Sequence, residues 1–236
     1  MKVGIIQPSY IPWKGYFDLV DAVDLFVFLD DVQYTRRDWR NRNRINSHSG
    51  PQWLTVPVFF SRHDEKTKIQ DVRIDNSSAW RKKHIASITQ SYRKAPYFNT
   101  FSDQLFEIIA GDSSCISDLD IALTHHLMDA LGISTRTIVA SELNVGQSRD
   151  EHLIEILLAT GASSYLSGPS AKSYIRNELF AEHGITLEYM SYRYPEYPQR
   201  SNSFEHNVSV IDLLFNCGPG ARLYFKGLEA NEVAAA

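Results

Sequence analysis

Two short apolar runs, KVGII at residues 2–6 and DLFVFL at 24–29, bracket a stretch of helical periodicity, and this arrangement constrains the fold more than any other feature. A short apolar run without polar alternation suits a strand buried on both faces, and such strands belong to parallel sheets covered by helices. Between the runs, Tyr16, Phe17, Leu19, Val20 and Val23 fall largely at i, i+3, i+4, i+7 spacing, which predicts an amphipathic helix. Strand, helix and strand within roughly 30 residues make a βαβ unit. The alternation returns late in the chain, with RTIVAS, SSYLSG and ITLEYM as strands and SRDEHLIEILLATGA and SAKSYIRNELFAEHG as the helices between them. The expected fold is therefore α/β, a three-layer parallel sheet.

The middle of the chain breaks this rhythm. Asn46, Ser47, Ser49, Gly50 and Pro51 form a turn cluster, and WLTVPV after them alternates, with Pro57 as an interruption, so a hairpin is expected there. KIQDVRID reads as one more short strand. From Asn76 to Gly132 the pattern is helical. Ser77 or Ser78 is the expected cap of AWRKKHIASITQSYRKA, Pro96 opens a second helix, and Ser117 or Asp118 begins a third that ends at Leu131-Gly132. The expected organisation is an α/β core over 1–75 and 133–227, a helical insertion over 76–132, and a disordered tail over 228–236. Residues 192–202 form a Tyr/Pro-rich connector, and NVSVIDLLFNCG a last helix.

Composition excludes several functions. A formal charge of -4 argues against a general nucleic-acid binder. No apolar run approaches the roughly 18 to 20 residues of a membrane span, and the first strand begins without a signal-peptide pattern, so a cytoplasmic protein is expected. Cys115 and Cys217 are isolated, and the adjacent His125 and His126 point about 100° apart on a helix, so no protein-ligated metal is expected. A homodimer is compatible with all of this.

In an open parallel sheet the ligand crevice lies beyond the carboxyl ends of the strands. That rule selects three loops: QPSYIPWKG after the first strand, DDVQYTRRDWRNRNR after the second, and SGPSAKS after SSYLSG. The first leads into a helix N-terminus, which attracts anions, but it lacks the glycines of a standard phosphate loop. It is either a pocket wall or a rigid elbow. The second carries Arg36, Arg37, Arg40, Arg42 and Arg44 against Asp38, interleaved with Tyr34, Trp39, Asn41 and Asn43. Guanidinium forks match phosphate or carboxylate, and an aromatic beside them stacks a base or a sugar. The same arginines also suit pairing with Asp30 and Asp31. Those two carboxylates end the second strand, and alternation sends them to opposite sides, so one of them should face the crevice as an acid or base. Ser167, Gly168, Ser170 and Lys172 offer backbone N–H groups and one ammonium. His84 shares a helix face with Trp80 and is a candidate general base or a packing residue.

The order of IIQPSYIPWKGYFDL, FLDDVQYTRRDWRNRNRI, WLTVPV, WRKKHI with SYRKAPYF, YLSGPSAKSY, YPQR and IDLLFNCG resembles the WbqC-like family over residues 2 to about 227. Members of that family are found among genes for O-antigen and other surface polysaccharides. The resemblance implies a transferase that modifies a nucleotide-linked amino sugar with an acyl or aminoacyl group such as glycyl. Combined with the loops above, it leaves Asp30 or Asp31, and His84, as catalytic candidates. Substrate would be bound by Gln7, Tyr10, Trp13 and Tyr16 of the first loop, Gln33, Arg36, Arg37, Trp39, Asn41, Arg42 and Asn43 of the second, and Ser167, Gly168 and Tyr174 of the third. A fainter likeness links the opening to HIGH-superfamily nucleotidylyltransferases, with Trp13-Lys14-Gly15-Tyr16 at the HxGH place and Ser167-Gly168-Pro169-Ser170 at the late serine-rich turn. It implies a Rossmann- or HUP-like fold and, as the alternative, a nucleotidyl- or adenylate-forming enzyme using ATP and Mg²⁺. Both histidines of that motif are missing here. A third alternative is a non-catalytic subunit that binds a sugar nucleotide.

Overall fold

The computed structural model describes residues 1–60, 66–146, 149–173, 175–200 and 203–225. Five parallel strands form the main sheet: β1 (Lys2–Ile6), β2 (Leu25–Phe28), β5 (Arg136–Val139), β6 (Ser164–Ser167) and β7 (Thr186–Tyr189). The two intervening strands, β3 (Arg42–Ser47) and β4 (Gly50–Thr55), pair antiparallel as a separate hairpin. Across the sheet the order is β5-β2-β1-β6-β7. Strand β1 therefore pairs with β2 on one side, Val3 opposite Leu25, and with β6 on the other, Lys2 opposite Ser164. The winding reverses between β1 and β6, which makes that boundary the topological switch point of a doubly wound sheet.

Seven α-helices accompany the strands among the described residues: α1 (Lys14–Asp21), α2 (Trp80–Tyr92), α3 (Phe98–Ala110), α4 (Ile116–Leu131), α5 (Arg149–Ala159), α6 (Asn177–Glu182) and α7 (Val210–Cys217). Alternation along β2 divides the core. Phe26 and Phe28 join Phe17, Leu119, Leu123 and Leu214 on one face, while Leu25 and Val27 join Ile154, Leu157 and Phe180 on the other. The helices of 80–131 thus share one continuous apolar core with the sheet. Gly4 lets α1 lie close against β1, because a Cβ there would come 2.7 Å from Leu19 Cδ2. Helix α7 is capped by Ser209, whose hydroxyl accepts from the Ile211 N–H. Its Asp212 is 1% exposed and accepts from Tyr92 Oη at 2.9 Å, Tyr197 Oη at 2.8 Å and Gln199 Nε2 at 2.9 Å, tying the connector to α2.

Several local expectations are corrected. KIQDVRID is not a strand; Ile69–Asp71 forms a 3₁₀ turn, held to its neighbours by isolated bridges at Lys68, Arg73 and Ile74. SAKSYIRNELFAEHG is not one helix, since Pro169–Ser173 is 3₁₀ and α6 begins only at Asn177. Helix α2 starts after Ala79 without a side-chain cap, and α4 after Cys115, upstream of the expected Ser117 or Asp118. Gly132 does end α4, in the left-handed region at φ 68°. Ser148, the first residue of the expected SRDEHLIEILLATGA helix, and the 228–236 tail lie outside the described residues.

Filling the space at Gly4 tests this packing. Gly4→Val should lower the unfolding free energy by about 1–3 kcal/mol, read by urea denaturation, while Gly4→Ala should cost less because the Leu19 side chain can swing aside.

Candidate functional site

The carboxyl ends of β1 and β6 open into a cavity of about 1250 Å³ at the switch point. Its walls come from all three loops selected by the sequence: Gln7, Ser9 and Trp13 after β1, Asp31, Gln33, Trp39, Arg40, Asn43 and Arg44 after β2, and Ser167 to Ala171 after β6. Four permanent cations, Arg40, Arg44, Lys66 and Lys68, line it against one carboxylate, Asp31, among the described residues. That charge balance attracts an anion.

The loop after β1 is a braced wall. Ile11 sits at φ 37°, an unusual conformation for a β-branched residue, and is fully buried. Asn43 holds it there by donating its Nδ2 to the Tyr10 carbonyl at 3.1 Å and to the Ile11 carbonyl at 2.9 Å. The Tyr10 N–H bonds the Trp39 carbonyl, and the Val210 N–H bonds the Pro12 carbonyl, so the loop is tied to the arginine loop and to α7. Trp13 lines the cavity and also folds its indole over Gly15, where a Cβ would come 2.3 Å from the ring. That ring covers the first turn of α1, so an anion in the cavity depends on side-chain cations more than on helix N–H groups.

Asp30 and Asp31 part as alternation requires. Asp30 turns to Ser141, accepting from its backbone N–H at 3.0 Å and its hydroxyl at 2.8 Å. Asp31 lines the cavity, and its Oδ1 lies 3.0 Å from His152 Nε2. The other ring nitrogen of His152, Nδ1, faces the Gly146 carbonyl. Both nitrogens thus face acceptors, which calls for a proton on each, and the Asp31 bond raises the His152 pKa above its usual value. With both ring nitrogens engaged, His152 has no free nitrogen with which to act as a base, and it orients Asp31.

Arg40 donates to Gln7 Oε1 and lies 3.9 Å from Asp38. Behind it, Asp120 on α4 is fully buried with no hydrogen-bond partner among the described residues, and burial raises its pKa well above the carboxylate range. Lys14, at the position likened to HxGH, also turns inward. Its Nζ is 3.0 Å from His206 Nδ1 and within 5.0 Å of the Tyr194 and Tyr197 ring centres, and burial lowers its pKa to about 8.

Of the residues selected from sequence, the structure gathers Gln7, Trp13, Tyr16, Asp31, Gln33, Trp39, Asn43, Ser167 and Gly168 around the cavity. It places others elsewhere. Tyr10 is fully buried and bonds His84 Nδ1 at 2.8 Å. His84 packs on Trp80 in the core, with its pKa lowered to about 4 by burial, and is not among the cavity's walls. Arg36, Arg37, Asn41 and Arg42 line a second, smaller pocket. Tyr174 lies outside the described residues. Sequence reasoning names Arg40 and Arg44 in the basic loop without assigning them to the substrate, and does not select Lys66, Lys68 or His152. Spacing does not separate Arg40 and Arg44 from Arg42, which shares their i, i+2 register, and nothing local marks His152, 121 residues from Asp31.

Fold and site together define a doubly wound α/β protein with an anion-attracting cleft at its switch point. The chain belongs to the WbqC-like protein family, whose profile matches residues 7–224. It is also 39% identical over 227 residues to the Mycobacterium tuberculosis H37Rv protein Rv1507c, covering 95% of this chain and 97% of that one. No solved structure matches it.

Because the folded-state pKa of His152 is raised, its contribution to stability is fully present below the ordinary value of 6.5 and is lost as pH rises through the folded value. The difference in urea midpoint between the wild type and His152→Gln should therefore shrink as pH rises above 6.5. A pH-independent difference would contradict the charged pair. Asn43→Ala should cost about 2 kcal/mol in the same assay, since it leaves two buried carbonyls of a strained loop without a donor.

Proposed function

We propose that this protein is a transferase that binds a nucleotide-linked amino sugar in the switch-point cavity and transfers an acyl or aminoacyl group to it, in the making of surface polysaccharide. The observation that carries this reading is the pairing of one oriented carboxylate with a ring of cations. Asp31, fixed by His152, shares the cavity with Arg40, Arg44, Lys66 and Lys68. Strand order supports a nucleotide, since doubly wound sheets bind nucleotides across the same crevice. Volume supports two substrates, because about 1250 Å³ exceeds the roughly 300–1,000 Å³ of a common small-molecule site. The family's place among polysaccharide genes supplies the sugar.

In this reading Arg40, Arg44 and Lys68 neutralise the diphosphate, and Trp13 and Tyr192 wall the sugar or base, their rings 5.0 Å apart in an edge contact. Asp31 takes the proton from the sugar's amino group as its nitrogen attacks the carbonyl carbon of an activated acyl donor. The C–N bond forms, the bond to the donor's leaving group breaks, and the proton passes from Asp31 to that leaving group. His152 serves as a positioning residue, holding one carboxylate oxygen so that the other is presented to the substrate.

A thermal-shift screen of nucleotide sugars tests the binding half, because a ligand at 100 times its Kd stabilises the native state by about 2.7 kcal/mol. Arg40→Ala should weaken binding of the best ligand by about tenfold or more, with a shallower salt dependence. Asp31→Asn should bind the ligand but lose turnover by about 10²–10⁴-fold. No stabilisation by any nucleotide sugar, or full turnover in Asp31→Asn, would sink the reading.

A further inference from the structure

The five arginines of the second loop do not line one cavity. Arg40 and Arg44 line the large cavity, whereas Arg36, Arg37 and Arg42 line a separate pocket of about 210 Å³ on the hairpin side of the same loop, and no residue lines both. Among the described residues, no carboxylate lies within ion-pair distance of these three guanidinium groups, and none lines their pocket. Like charges set around one small volume repel, and a bound anion would relieve that repulsion.

The pocket is also built in advance of any occupant. The Arg42 guanidinium lies 4.3 Å from the Trp53 ring centre, with Trp39 packed beside Trp53 at 5.5 Å. Its Nη2 donates to the Arg37 carbonyl, and its Nε is buried with no partner. Arg37 itself stands at φ 57°, a left-handed conformation that costs a non-glycine residue energy and that turns the chain so its carbonyl meets Arg42. Asn41 closes the inner wall, its Nδ2 fastened to the Val56 carbonyl at 2.8 Å. A stacked, tethered guanidinium beside two exposed ones has the donor set for a tetrahedral phosphate oxyanion.

We propose that Arg36, Arg37 and Arg42 form a second anion site that takes a phosphoryl group, distinct from the switch-point cavity and independent of what that cavity binds. The group can be supplied by a soluble phosphate ester or by a phospholipid headgroup, and the experiment separates the two. Trp53 reports on Arg42 at 4.3 Å and, more distantly, on Arg44 at 5.7 Å, so tryptophan fluorescence of the full chain, carrying Trp39→Phe to simplify the signal, is titrated with inorganic pyrophosphate, and arginine variants tell the two arginines' sites apart. Flotation with phosphatidylglycerol vesicles, against phosphatidylcholine vesicles, is run in parallel. A saturable, salt-sensitive change with pyrophosphate, weakened at least about tenfold in Arg36→Gln/Arg37→Gln but kept in Arg40→Ala, is the expected result for a soluble phosphate. Binding to phosphatidylglycerol vesicles that the same double variant abolishes would support the site and assign the headgroup. Near-UV circular dichroism checks that the double variant keeps its fold. No saturable response to either probe, or equal responses in the wild type and the double variant, would overturn the site. Loss in Arg40→Ala with retention in the double variant would place the anion in the large cavity instead.

Discussion

Strand β1 hydrogen-bonds along both of its edges, and the position of everything else follows from that. Because β2 pairs on one side and β6 on the other, the connections leave β1 in opposite directions, and the loops at its carboxyl end part instead of covering one another. Gly4 in the middle of β1 allows α1 to seat against the strand. The cavity is thus a product of backbone pairing, and side chains only decide what it can hold.

What it holds is governed by side-chain charge. With the Trp13 indole over the first turn of α1, the cations come from Arg40, Arg44, Lys66 and Lys68. Such a site tells ligands apart by guanidinium geometry and responds to salt, unlike a glycine-rich loop that grips phosphate with backbone N–H groups. The rigidity this needs comes from the Ile11 turn, Asn43 and the bonds from Tyr10 to Trp39 and from Val210 to Pro12. Residues 10–12, 39–43 and 210 thereby form one braced corner of the cleft. The same economy of structure appears on the hairpin, where Trp53 holds Arg42 on the opposite side of the loop.

Much of the fold was legible because parallel strands and helices write their burial as period and run length. KVGII, DLFVFL, RTIVAS, SSYLSG and ITLEYM all contain strands of the sheet. Where the reading failed, local preference had been overruled by packing. KIQDVRID has a strand's composition, but its backbone bonds go to Asp30, Val32 and the 114–116 segment, so it forms bridges and a 3₁₀ turn. His84, read as either a base or a packing residue, is enclosed by Tyr10 and Trp80. At the site, the opposite orientations of Asp30 and Asp31 followed from alternation. Which of them met the cavity did not, because that depends on Ser141 and His152 arriving from distant parts of the chain.

By itself, the sequence determined the α/β class, the three loops at the carboxyl ends of the strands, and the concentration of arginines in one of them. Periodicity and composition are local properties, and they survive without knowledge of the partners. Tertiary structure decided the strand order, the partner of Asp31, the covering of α1 by Trp13, and the division of the arginines between two pockets. Each of these is a contact between segments far apart in the chain or a backbone angle held by such a contact, and no spacing rule encodes it.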